Sequence, residues 1–334
     1  MDIFKKHKLK KIKPLRIGIV FDGGGARGPY QLGVYFALKK FGLEKNIIGV
    51  SGASIGAFSS CLIQLDSPSR IIHYCKQIDN DLVRGKKGNI ISSLKNTLIK
   101  GEGLYHRDNL KQFLDSSLDL GHLLKNAKYP VYISLAKENK NAQGEVTSYS
   151  PVYKLINEKS HADIVTLLLA TSAIPKVFDP VEYQGDTYVD PMKGDNEPYT
   201  PLLKLKPDLL FIIPLNDSHF THEYKEDFPV TIVDFCLKEM MDLPRMNMID
   251  FNTDNYDYYL SLGYQTGRFI LSYLDYHHVL DDLSDYQRMN NKPAYYSLNN
   301  MGINDIKFDK MDLDDIFKDM NISVHRDVRE KKIT

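Results

Sequence analysis

Arg16-Ile17-Gly18-Ile19-Val20-Phe21-Asp22-Gly23-Gly24-Gly25-Ala26-Arg27-Gly28 is an apolar run that breaks into glycines, and Ile47-Ile48-Gly49-Val50-Ser51-Gly52-Ala53-Ser54-Ile55-Gly56 soon repeats the pattern. A short apolar run bounded by glycine reads as a buried strand, and each of these leads into a helical pattern. Gly52-Ala53-Ser54-Ile55-Gly56 fits G-x-S-x-G, the sharp strand-to-helix turn that presents a serine hydroxyl at the head of a helix. Such a turn leaves no room for bulk beside the serine, which Gly52, Ala53 and Gly56 provide. Helix N-terminal N–H groups point outward at that position. A glycine-rich loop on the adjacent strand can aim further N–H groups at the same spot, as an oxyanion requires. Together the two signals describe a serine hydrolase.

Either signal alone carries less. Gly23, Gly25 and Gly28 also fit the G-x-G-x-x-G of a dinucleotide site. That fingerprint wants an acidic residue about 20 positions on, at the end of a second strand. Glu44 stands before the next strand instead. No Gly-Lys-Ser or Gly-Lys-Thr follows the glycines, which excludes a P-loop.

Residues 18–38 and the elbow resemble the patatin-like phospholipase family, which pairs a G-G-G-x-R-G loop with G-x-S-x-G and completes its site with an aspartate in D-G-G or D-G-A. Residues 170–181, Ala-Thr-Ser-Ala-Ile-Pro-Lys-Val-Phe-Asp-Pro-Val, resemble the segment upstream of that aspartate. Asp190 then falls where the aspartate belongs, and Asn196 and Pro198 keep the spacing that follows it. Residues 262–268 are similar to a helix near the end of bacterial members, so the resemblance runs from 15 to 272. It implies a three-layer α/β/α fold with a mostly parallel central sheet and a nucleophile elbow after the second strand. It also implies a lipid acyl hydrolase of phospholipase A, lysophospholipase or carboxylesterase type. Ser54 would be the nucleophile and Asp190 its base in a Ser-Asp dyad, with an oxyanion hole from Gly23, Gly24, Gly25 and Arg27.

One departure matters. Pro191-Met192 follows Asp190 where the family has Gly-Gly or Gly-Ala. Proline removes a backbone donor, and methionine adds a long side chain where the family leaves room. This opens a second reading, a catalytically impaired lipid-binding member. Arg27 has two candidate roles, holding the loop or facing a lipid phosphate, since its planar fork suits oxyanions. Asp22 and Asn196 are assigned to shaping the two loops. A Ser-Asp-His triad would need a histidine after Asp190, but His219, His222, His277, His278 and His325 all stand in surface-like settings.

The 334 residues permit one large domain or two small ones. Lys plus Arg equals Asp plus Glu at 43 each, so no nucleic-acid partner is expected. Cys61, Cys75 and Cys236 are scattered and form no C-x-x-C, which suits reduced thiols in a cytoplasm. No metal or cofactor is expected. No apolar run reaches about 18 residues, and residues 17–21 are too short for the core of a secretion signal. Lys5-Lys6-His7-Lys8-Leu9-Lys10-Lys11-Ile12-Lys13 reads as a frayed basic end. Its alternative role is peripheral contact with an anionic membrane, worth about 1 kcal/mol per basic residue.

The expected organisation is a basic arm over 1–14, an acyl-hydrolase domain over 15–275 and a helical or partly disordered extension over 276–334. Strands are expected at 16–21, 47–51, 129–136, 145–149, 187–190 and 209–215, and helices at 29–42, 55–65 and 162–170. Residues 66–128 read as helices with polar faces, broken by loops at 84–88 and 101–103. The alternation argues for a largely parallel sheet with helices on both faces.

Overall fold

Ile17–Phe21, all buried, form the central strand β1. Ile17, Ile19 and Phe21 face one apolar core, and Val20 faces another on the opposite side. A strand buried on both faces has to be apolar throughout, which is why this one lacks the alternation of a half-exposed strand. The computed structural model describes residues 12–84, 107–216, 228–238, 248, 250–252, 255–303, 308 and 311–321. The basic residues at 5–11, the expected loops at 85–88 and 101–103, and His219, His222 and His325 lie outside the described residues.

Among the described residues, nine strands form one sheet. Its order is β9 (Tyr295–Tyr296), β8 (Thr231–Asp234), β7 (Leu209–Ile213), β1, β2 (Ile47–Ala53), β3 (Val131–Lys140), β6 (Asp186–Val189) and β5 (Val181–Tyr183). β4 (Val146–Leu155) pairs with β3 off this path. The pairings from β9 through β3 are parallel, and those of β3 with β4, β3 with β6 and β5 with β6 are antiparallel. β4 fills one edge of β3 from Tyr132↔Leu155 to Lys140↔Val146. The other edge is shared end to end: β2 pairs as far as Ala53↔Ser134, and β6 takes over at Ala136↔Val189. Carrying β2 and β6 one residue further brings Ser54 and Asp190 to the same point beside Leu135.

α1 (Gly28–Lys40) is buried all round from Gly28 to Leu38, because it lies between the sheet and α7 (Tyr256–Tyr276). The two helices touch backbone to backbone. A Cβ on Gly33 would stand 2.1 Å from Leu260 O, and one on Gly263 would stand 1.9 Å from Tyr30 O. α2 (Ile55–Leu62), α3 (Pro68–Lys76), α4 (Asp108–Ser117), α5 (Leu120–Lys125) and α6 (His161–Thr171) add side chains to the same core. The other face is covered more thinly. Among the described residues, the turn of helix Thr200–Leu203 and its flanks lie over Leu210, Ile212 and Ile232.

The chain beyond α7 also packs on this body. Leu283–Ser284 pairs antiparallel with Ile12–Lys13, and Arg288 grips both oxygens of Asp208 at 2.8 and 3.0 Å. Tyr295–Tyr296 supplies the edge strand β9, and α8 (Leu313–Asp319) buries Ile316 and Phe317 in the larger core. The closeness of α1 and α7 sets a first expectation. Gly263→Ala forces the helices apart and lowers the free energy of unfolding by about 1–3 kcal/mol, read as an earlier urea midpoint.

Candidate active site

Ser54 sits at the junction of β2 and α2 with φ 50° and ψ −123°, a backbone conformation that costs a non-glycine residue roughly 1–3 kcal/mol. The surroundings hold it there. A Cβ on Gly52 would lie 2.2 Å from Gly56 O, and one on Gly56 would lie 2.2 Å from Phe21 O, so the elbow packs against β1 with no space for side chains. The Ser54 N–H donates to Thr171 Oγ1 at 2.9 Å, and the Thr171 hydroxyl donates to Ser134 O at 2.7 Å. The Ser54 hydroxyl makes no capping bond to α2. The residue is only 7% exposed.

Asp190 follows β6 and is anchored through its own N–H, which donates to Ala173 O at 2.9 Å. Its Oδ1 accepts the Met192 N–H at 3.0 Å and caps the turn Pro191–Lys193. Its Oδ2 is buried and has no hydrogen-bond partner among the described residues. The Ser54 hydroxyl stands close enough to favour the charged carboxylate, although no hydrogen bond of ordinary geometry joins the two. Such catalytic bonds are commonly long before substrate binds. Burial pushes the Asp190 carboxyl up to about 6, against the Met192 N–H, the Ser54 hydroxyl and the Arg107 guanidinium, which all favour its charge.

Pro191 and Met192 fit this turn without displacing anything. Proline occupies the first position of the turn, where its missing N–H removes no bond, because the donor to Asp190 comes from Met192. The Met192 side chain is 57% exposed, so it points away from the packed site.

The glycine loop is held by Asp22. Asp22 Oδ1 accepts from Asn196 Nδ2, while Oδ2 accepts from the Leu215 N–H at 3.1 Å and from Asn216 Nδ2 at 2.8 Å. Both asparagines also donate to Gly23 O, at 3.0 and 2.6 Å. The Gly23 N–H is itself committed to Asn196 O at 3.3 Å. Gly25 adopts φ +58°, and a Cβ there would meet Met248 O at 1.8 Å. A Cβ on Gly24 would stand 2.2 Å from Leu215 Cβ. The Arg27 guanidinium is buried and donates to Leu215 O at 2.7 Å. The loop after Asp190 is tied down from the sheet as well, since Ser134 Oγ donates to Asp195 O at 2.6 Å.

Ser54 and Gly25 open onto a cavity walled mainly by apolar side chains, among them Phe58, Ile78, Ile174 and Phe178. Phe58 comes from α2, and Ile174 and Phe178 come from the segment between α6 and β5. Arg107 is the one cation lining this cavity among the described residues. Its guanidinium donates to Leu169 O, to Ser172 Oγ at 3.3 Å and to Asp179 O at 3.2 Å, and it lies 5.0 Å from the Phe178 ring. Sequence reading passed over Arg107, Ser134 and Thr171. Arg107 stands at no motif, and the other two act through hydrogen bonds that leave no pattern in sequence.

A family model described as Patatin-like phospholipase matches residues 19–203. Lysophospholipase nte1 of Aspergillus terreus (strain NIH 2624 / FGSC A1156) is 49% identical over 51 residues, which are 15% of this chain and 3% of that relative. Among solved structures, VipD from Legionella pneumophila aligns with TM-score 0.41 and 15% identity over 80% of this chain and 68% of its own. The type III effector protein ExoU aligns with TM-score 0.39 and 14% identity, over 78% and 53%.

Two expectations follow from the site's construction. Asp22→Ala leaves two amides and one backbone N–H without their buried acceptor, and lowers stability by roughly 2–4 kcal/mol in chemical denaturation. Met192→Ala, at an exposed side chain, changes stability by less than about 0.5 kcal/mol in the same measurement.

Proposed function

The chain belongs to the patatin-like phospholipase family, and we propose that it is a serine-dependent lipid acyl hydrolase in which Ser54 and Asp190 form the catalytic dyad. The observation that carries this reading is Asp190 itself. A buried carboxylate with one oxygen unpartnered, its pKa raised to about 6, faces a serine held at a strained elbow. The short match to a protein named a lysophospholipase supports the substrate class.

In this mechanism the Ser54 oxygen attacks the ester carbonyl carbon while its proton passes to Asp190 Oδ2. The raised pKa suits that step, because a carboxylate at the ordinary value near 4 is a poor base. The tetrahedral oxyanion is received by the N–H groups of Gly24 and Gly25. Gly23 is left out of the hole because its N–H is bonded to Asn196 O. Arg27 serves the loop rather than the substrate, through its bond to Leu215 O. Collapse of the intermediate breaks the bond to the alcohol, which takes the proton back from Asp190. Water then attacks the acyl-serine and gives its proton to Asp190; the bond from the acyl carbon to the Ser54 oxygen breaks, Ser54 takes that proton, and the fatty acid leaves.

The substrate is a phospholipid or another fatty-acyl ester, met in the cytoplasm at an anionic membrane that the basic residues at 5–13 approach. Deleting residues 1–13 is expected to weaken binding to anionic vesicles at low salt, and an unchanged affinity would reject that contact.

Fluorophosphonate labelling, paired with hydrolysis of p-nitrophenyl esters, tests the dyad. Wild type is labelled at Ser54, and Ser54→Ala is not. Asp190→Asn loses a factor of about 10²–10⁴ in hydrolysis. Because Asp190 must be charged to accept the proton, kcat/KM climbs with pH through about 6 and then levels. A wild-type protein that takes no label and hydrolyses no ester favours instead the impaired, lipid-binding reading.

A further inference from the structure

The cavity at Ser54 shares two of its walls with a neighbouring one. Phe58 and Ile78 also line a second cavity, whose other walls include Cys61, Leu62, Phe113 and Leu168. The two spaces follow one direction. On α2, Phe58 lies one turn beyond Ser54, and Cys61 and Leu62 lie one turn beyond Phe58, all on the same face. On α4, Leu110 borders the first space, and Phe113 and Leu114 border the second. A third space, lined among others by Gly25, Ile55, Ile78, Lys76 and Asn252, has the more polar walls.

Building on the hydrolase reading, we propose that the acyl chain runs from Ser54 along α2 into the second cavity, and that Phe58 and Ile78 set the chain length accepted. The geometry divides the ester at the serine. The apolar arm between α2 and α4 takes the fatty chain, and the space lined by Lys76 and Asn252 takes the alcohol portion. Phe58 is buried and lines both apolar spaces, so a chain that passes it exchanges water for side chains over its outer part. Each methylene gained in that way is worth about fourfold in binding.

The readout is the ratio of kcat/KM for p-nitrophenyl palmitate to that for p-nitrophenyl butyrate, a quantity from which changes in the amount of active protein cancel. Phe58→Ala widens the passage at residue 58 and raises the ratio about tenfold or more. Cys61→Leu fills the far space and lowers it by a comparable factor. Where Phe58→Ala fails to fold, Phe58→Leu carries the same sign with less lost volume. Labelling rates with long- and short-chain alkyl fluorophosphonates move in parallel, because the probe's alkyl group takes the same path. Variants that take label but keep the wild-type ratio overturn the proposed path while leaving the hydrolase standing. A wild type inert to every ester and every fluorophosphonate overturns the hydrolase reading and the path with it.

Discussion

Two separate pieces of chain donate three hydrogen bonds to one buried carboxylate, that of Asp22 at the end of β1: Asn196 from the loop after Asp190, and the Leu215 N–H and Asn216 from the end of β7. A carboxylate taken out of water is costly unless its oxygens are bonded. Here the cost is offset only if all three segments converge. The glycine loop, the turn that presents Asp190 and the loop after β7 therefore form as one unit. The Gly23 N–H donates to Asn196 O and the Asn196 side-chain amide donates back to Gly23 O, which ties the glycine loop to the loop after Asp190 again.

The two aspartates of the site differ in how their oxygens are satisfied. Asp22 has donors on both oxygens. Asp190 has one backbone donor on Oδ1 and none on Oδ2. Both are nearly inaccessible, yet only the second is left with an unsatisfied buried oxygen, the condition that makes a carboxyl group hold its proton more tightly. Arg107 moderates that tendency from across the cavity. Its guanidinium is itself bonded to Leu169 O, Ser172 Oγ and Asp179 O.

Much of this was legible in the chain because burial on two faces writes itself as unbroken apolar runs, as in residues 17–21 and 209–213. The elbow was legible because backbone contact at Gly52 and Gly56 tolerates no other residue. Asp22 and Asn196 were read as loop-shaping, and they bond to each other. Other features leave no such trace. β9 is two tyrosines, and a strand so short has no periodicity. The importance of Arg107 rests on carbonyl oxygens brought in by folding. Pro191-Met192 looked disruptive because a missing donor is visible in sequence, whereas the residue that supplies the donor to Asp190 is not.

The shared edge of β3 has a consequence for how this protein can change over time. Serine and aspartate are brought together by counting residues along a common strand, one from each direction. Strand register moves only in whole steps, each about 3.4 Å and each reversing the face on which a side chain emerges. Insertion or deletion of one residue in β6, or between Ala53 and Ser54, would thus abolish the encounter rather than stretch it. The turn between β3 and β4 lies past the point where both counts end. A longer turn or a deliberate graft placed there disturbs neither count.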